Sequence, residues 1–508
     1  MSETTGPSWY GATGADVAQR HPRREGLTAL LLAGSLIALT AGRLMLPWLE
    51  SDLMTIHQVA MEALAAGRNW GRQALFASLE YPPLPMLATL VAAPLAEWLD
   101  VSAGHLLTAV CQAWALLYLV RIPDNLRDRA LLVLLMGLGM LTPYAAGVAL
   151  RTDPNWVVAV PLAAFLFHLA RWERSAPLRD IVALSICLGL LVFCGIAGLS
   201  LALILTVAAL AEVASHPDLT PQDRHGTMWL IASPVVYCAV LVLLFNWLVM
   251  GDPLMPFRLL IGGTETSWTL GGFAGALGRR PLWILPLALG LVMVLRRHRF
   301  GLPSCLLMSL AAVPLAGAAV EAAGVFPSGV RVAQVVLAVV SLSTVVVVTL
   351  ARERQRHRDW TVAICIVASV GLALVHPARS ASDMDRGLAG APAAQAVIQT
   401  VDEHWRDSRI LVYGIRAPAA FADPEQKRFI ASVDFHEKTL LERARREQVH
   451  VLLPPTPWRQ PSTGMESPAD IRRRSSRYLL LEAVYPEGWQ LWRCVVSPEG
   501  ESHLPGAD

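Results

Sequence analysis

The sequence predicts an α-helical polytopic membrane protein of about eleven or twelve transmembrane helices, followed by a small C-terminal α/β domain. Hydrophobic residues make up 54% of the 508 positions and charged residues only 16%, with a mean hydropathy of +0.46, far from a soluble average. Long apolar runs separated by short polar loops fill 27–377, and several reach the roughly 17 to 25 residues that cross a ~30 Å hydrocarbon core. At about 378 the composition turns charged and mixed.

A polar segment, 1–26, comes first and reads as a cytoplasmic tail: His21, Arg23 and Arg24 precede the first apolar run, as in a signal anchor. The apolar runs then fall at 27–47, 82–98, 104–121, 130–149, 155–170, 180–194, 197–213, 228–250, 281–295, 302–321, 330–351 and 360–377. Orientation follows from basic loops, of which 296–299 and 352–358 are the strongest. They put the loop at 251–280 and the domain at 378–508 outside, and Arg171-Trp172-Glu173-Arg174 inside. The localisation implied is a bacterial cytoplasmic membrane, since Arg and Ala abound while Lys427 and Lys438 are the only lysines. That scarcity excludes Schiff-base chemistry on a membrane-embedded lysine.

Parity raises a conflict. Twelve crossings from a cytoplasmic N-terminus would return the C-terminus to the cytoplasm, so one segment must fail to cross. Residues 180–213 need about 50 Å of helix and cross twice. The odd segment therefore lies within 82–121, and 82–98 as a juxtamembrane helix is one solution.

Beyond an Ala/Ser/Gly/Pro-rich linker at 377–394, strands are expected at 409–414, 428–431, 450–453, 478–484 and 490–496, with a helix over Glu437 to Gln448. The last two strands should form a hairpin around Pro486-Glu487-Gly488. The seven cysteines are scattered singly, six of them within apolar runs, with neither a disulfide framework nor a zinc spacing. A net charge of +2 gives no sign of nucleic-acid binding.

The chemistry concentrates in the outer loop 48–81. Glu50, Asp52, His57, Glu62, Arg68 and Glu80 fall close together at a membrane surface, where carboxylates beside a span are costly and kept for function. Asp52 just after the first span, Pro82-Pro83-Leu84 opening the next segment, Asp153 after a later run, and Gly251-Asp252-Pro253-Leu254 closing another form a pattern. Over about 27–260 it resembles the GT-C superfamily of polytopic glycosyltransferases that use polyprenyl-phosphate sugars, including the protein O-mannosyltransferases and the lipid A aminoarabinose transferases. Two departures stand out: Asp52 is followed by Leu53 where many such proteins have Glu, and no Lys stands near Gly195 to Leu199.

The resemblance implies transfer of a sugar from a polyprenyl-phosphate donor to an extracytoplasmic acceptor, a lipid, glycan or protein, within the bilayer. Attack on a sugar C1 needs a carboxylate to take the nucleophile's proton, and Asp52 is the candidate base. Asp153 and Glu80 are the further catalytic candidates. The departing lipid phosphate needs donors, for which Arg258, Arg151 and Arg68 are candidates, with Tyr81, His57 and Trp70 as further substrate contacts. No cofactor is assigned; Asp52, His57, Glu80 and Asp153 could offer oxygen and imidazole donors to a divalent metal, without a tight ligand spacing.

Plainer readings stand beside these. Asp52 could cap the following helix, Asp153 before Pro154 could start a turn, His57 could be a surface histidine, and Glu80 and Arg258 could be interfacial charges. Trp48, Trp70, Trp247, Trp268 and Trp283 fit an aromatic belt, with sugar stacking open for Trp70 and Trp268. A transporter or flippase of lipid-linked sugars would show ionisable residues near span centres and related halves, neither of which is visible; a noncatalytic envelope scaffold would leave Asp52 replaceable.

Overall fold

The computed structural model describes residues 82–99, 101, 103–123, 129–130, 132–134, 136, 154–175, 177–216, 219–254, 397, 400–401, 403–412, 429–431, 449–453, 479–485 and 488–494. They form a bundle of apolar helices and a five-stranded mixed sheet. The first span, those after 254, the linker 377–394 and the helix 437–448 lie outside the described residues.

The bundle contains α1 Pro83–Trp98, α2 Ala103–Val120, α3 Ala159–Ser175 entered through a 3-10 turn Pro154–Val158, α4 Leu178–Val192, α5 Gly195–Ser215 and α6 Pro221–Met250. Ala103–Val120, Gly198–Ser215 and Pro221–Val249 are long and apolar enough to cross a membrane. Proline explains two starts: Pro83 and Pro221 open α1 and α6 where a missing N–H costs nothing, and at α6 Thr220 also accepts from the Asp223 N–H as N-cap. In helices without water the buried hydroxyls turn onto their own backbone. Thr89 donates to Pro85 O (2.8 Å), Ser185 to Ile181 O (2.7 Å) and Thr206 to Ala202 O (2.6 Å).

The core joins Leu162, Phe165, Leu166 and Leu169 of α3 to Leu184, Leu188 and Leu191 of α4 and Leu201 and Leu205 of α5, at helical spacing. The α4–α5 turn is tight. A Cβ on Gly198 would run into the Leu191 carbonyl and lie 2.5 Å from Cys194 Cβ, so only glycine lets α5 start against the end of α4. The stretch 180–213 is therefore two helices joined by a tight turn. Most of α6 faces outward, with Val236, Tyr237, Val240 and Trp247 exposed as lipid-facing side chains would be.

The helix order fixes where α1 sits. Arg171 of α3 meets Asp180 of α4 at one end of the hairpin, so the α3 start and the α4–α5 turn lie at the other. Tyr118, near the end of α2, packs on Phe167 and His168, so α2 runs parallel to α3 and begins at the Phe193 end. The Leu84 N–H donates to Phe193 O (3.1 Å), so α1 begins there too, and it leads within a few residues into the start of α2. Both ends of α1 thus lie at one end of the described helices. Its outer face is an apolar strip, Leu87, Val91, Leu95 and Trp98, with Val91 77% and Trp98 79% exposed, as suits a juxtamembrane helix lying on lipid.

The apolar run expected at 155–170 continues as helix through Ser175, so Arg171 and Trp172 belong to α3, and Trp172 is fully buried. Asp180 of α4 and Glu212 of α5 are buried as well. Packed partners let charged residues remain within helices that hydropathy alone cuts short.

The C-terminal sheet has β1 Ile410–Val412, β2 Phe429–Ala431, β3 His450–Leu453, β4 Leu479–Val484 and β5 Gln490–Cys494 in the order β2-β1-β3-β5-β4. β1 pairs parallel with β2 and β3, while β5 is antiparallel to β3 and β4, and the predicted hairpin closes with Tyr485 N donating to Trp489 O (2.8 Å). Alternation sends Ile410, Leu452 and Leu491 to one face under Val397 and Val401, and Leu411, Val451 and Leu453 to the other.

Candidate functional site

Asp52, His57, Arg68, Trp70, Glu80, Tyr81, Arg151, Asp153 and Arg258 all lie outside the described residues. Described chain lies next to Tyr81 and Asp153, and these two segments meet. Pro82, next to Tyr81, caps α1 at the Phe193 end. Pro154, next to Asp153, opens the turn that leads into α3 at that same end, and α1 packs against this turn. Leu254, four residues before Arg258, follows the end of α6, which starts with Arg224 beside His216, is level with Gly189 of α4 at Pro234, and continues beyond that level to Met250.

The Gly251-Asp252-Pro253-Leu254 segment is a helix stop. Gly251 takes a left-handed φ of 72° and donates to Trp247 O (2.9 Å), and Asp252 Oδ1 accepts from the Leu254 N–H (3.0 Å). Nearby, Trp156 Nε1 in the turn and Thr108 Oγ1 in the first half of α2 are buried with no hydrogen-bond partner. Buried donors of this kind are few in native proteins and call for an explanation.

The opposite end carries an ion network that sequence reasoning missed. Asp180, 0% exposed, sits in the first turn of α4, where a carboxylate also meets the positive end of the helix dipole. His168 Nδ1 approaches its Oδ1 at 2.7 Å and Arg171 Nε its Oδ2 at 3.2 Å, the latter held by charge more than by a well-aligned hydrogen bond. The Arg171 guanidinium lies 5.5 Å from the centre of the Phe167 ring. Trp172 packs on His216 at 5.1 Å between ring centres, and Arg224 Nη2 donates to His216 O (2.7 Å). Asp180 spends both oxygens on α3, so its chemistry is that of a clasp. The signal was present: His168 and Arg171 are three apart on one helix face, with a carboxylate just across the Pro177 turn.

A second polar cluster stands on the sheet. His450 and Arg493 are direct cross-strand partners and so share a face. The irregular register between Leu481 and Ala483 is a bulge at Glu482, which aims that carboxylate onto the same face. Glu482 Oε2 meets His450 Nε2 at 3.0 Å and Oε1 meets Arg493 Nε at 2.9 Å. Trp405 lies 5.0 Å from His450 between ring centres. Burial pushes the Tyr485 phenol up from its ordinary value, the bond from Trp405 works against that, and the Glu482 charge adds to it. Tyr485 therefore keeps its proton at neutral pH.

Among the described residues no group of three or more His, Cys, Asp or Glu is placed to hold a metal ion. Cys111, Cys187, Cys194, Cys238 and Cys494 are free thiols.

These features define a polytopic helical membrane protein with an α/β C-terminal region. Over its length the chain is similar to two solved structures of ArnT from Cupriavidus metallidurans. The apo form is 16% identical, with 93% of this chain and 98% of that chain covered and a TM-score of 0.45. The form bound to undecaprenyl phosphate is 14% identical, with the same coverage and a TM-score of 0.38. No protein-family model matches the chain, and no curated protein matches it.

Proposed function

We propose that the chain is an integral membrane glycosyltransferase that moves a sugar from a polyprenyl-phosphate donor to an acceptor outside the cytoplasmic membrane. The observation that carries this reading is the meeting of the chain that follows Glu80 with the chain that follows Asp153 at one end of the bundle. In the proposed topology that end faces outward, the N-terminus is cytoplasmic and the C-terminal domain is extracytoplasmic.

In the reaction, Asp52 accepts the proton of the acceptor hydroxyl or amine as that group attacks the sugar C1. The C1–O bond to phosphate breaks and the electron pair leaves with the lipid phosphate. Arg258, with Arg151 and Arg68, neutralises the charge that develops there. Glu80, Asp153, Tyr81 and His57 orient the acceptor and the head group, and Trp70 offers a stacking face to the sugar ring. Trp156 Nε1 and Thr108 Oγ1 are unpaired donors in the segments that lead into this end, and a polar head group would satisfy them. The apolar helix surfaces accommodate the polyprenyl tail, while the C-terminal domain contributes to acceptor choice.

The test is transfer of labelled sugar from a panel of polyprenyl-phosphate donors in membranes holding equal amounts of wild type or Asp52→Asn. Transfer by wild type alone supports both the activity and the base. Equal transfer by both moves the base to another carboxylate, and no transfer by either with any donor or acceptor contradicts the reading.

A further inference from the structure

The C-terminal sheet presents an oriented guanidinium beside aromatic rings, and we infer that it binds the oxyanion-bearing end of an anionic saccharide. Arg493 spends Nε on Glu482 at 2.9 Å, which fixes the plane of its fork, while its side chain is 55% exposed. Glu482 is 12% exposed and is itself held by His450 at 3.0 Å, so the anchor behind the arginine is rigid. A guanidinium anchored through Nε offers its two terminal nitrogens to a carboxylate or phosphate in bidentate geometry, with little side-chain entropy left to lose.

The neighbours suit the rest of a sugar. Trp405, half-buried and packed on His450, supplies an apolar ring against the arginine's cross-strand partner, and Tyr485 keeps its phenolic proton as a donor. Leu480, 51% exposed, is the direct cross-strand partner of Arg493 and extends the apolar shelf. A ring-shaped ligand with a charged substituent matches this set, because its faces stack on apolar surface while its oxyanion meets the fork. A neutral sugar would leave the guanidinium unmatched. Identification of this saccharide as the acceptor rests on the transferase reading, whereas the binding itself does not.

Ligand-observed NMR titrations of the full chain in neutral-lipid nanodiscs test it, with glucose 1-phosphate, glucuronate and glucose as probes. Wild type should bind the phosphate and the carboxylate sugars well above glucose. Arg493→Gln should weaken both anionic probes by about tenfold or more, the value of one charge-assisted contact. Arg493→Lys, which keeps the charge but loses the fork, should weaken them too, and Trp405→Leu should weaken all three. Arg258→Gln, run in parallel, should leave glucuronate binding intact. No preference for anionic sugars, or binding unchanged in Arg493→Gln, overturns the assignment, as does loss of glucuronate binding in Arg258→Gln with none in Arg493→Gln. Failure of the transferase reading appears separately, in the Asp52→Asn assay.

Discussion

The two ends of the helical bundle use polar groups in opposite ways. At the Trp172 end, Asp180 is fully buried but engaged on both oxygens by His168 and Arg171, and His216 is packed on Trp172 and accepts from Arg224. At the Phe193 end the described contacts are a backbone bond, a glycine-tight turn and buried donors without partners, while the chain flanking Glu80 and Asp153 enters there. Trp172 Nε1 at the clasped end is buried without a hydrogen-bond partner as well, so what separates the two ends is the ion pairing and not spare donors. One end clasps; the other receives the chain that carries the candidate carboxylates.

The comparison can be broken in several places. The largest effect is expected from the double variant Glu80→Gln/Asp153→Asn, which should lower transfer per folded molecule by about a hundredfold or more, the usual reach of positioned acid–base groups. Near-normal transfer would remove the Phe193 end from the chemistry. Next comes Asp180→Ala, expected to cost about 1 to 3 kcal/mol by taking the carboxylate from His168 and from the partly exposed Arg171, read as lost thermal stability in detergent. A stable protein would show that the clasp is ornamental.

Gly198→Ala should cost about 1 to 3 kcal/mol by overpacking, since the Leu191 carbonyl occupies the space its methyl needs. Hydrogen exchange at the α4–α5 turn reports it directly, and unchanged protection would mean that the turn yields without cost. Smallest is Gly251→Ala, about 1 kcal/mol from the left-handed cap, seen as a modest drop in melting temperature.

Much of this was legible in the residues. Apolar runs of the right length located α2, α5 and α6, and the alternation in Leu479–Val484 and Gln490–Cys494 around Gly488 located the hairpin. The Pro82-Pro83-Leu84 opening located the start of α1. What escaped depended on contacts distant in sequence. His168 finds Asp180 twelve residues on, and Glu482 reaches His450 thirty-two residues back through a bulge, neither of which periodicity encodes. The helical end at Arg171 and Trp172 was read as a loop because charge in sequence looks solvated until its partner is seen.

The most direct test of the difference between the ends compares Asp52→Asn with Asp180→Asn, side by side, by transfer of labelled polyprenyl-phosphate sugar per folded molecule. The account predicts that Asp52→Asn loses about two to four orders of magnitude in rate while keeping its melting temperature. It predicts that Asp180→Asn melts lower yet transfers at nearly the wild-type rate when folded. The opposite pattern, full transfer by Asp52→Asn and none by a stable Asp180→Asn, would contradict it and move the chemistry to the Trp172 end.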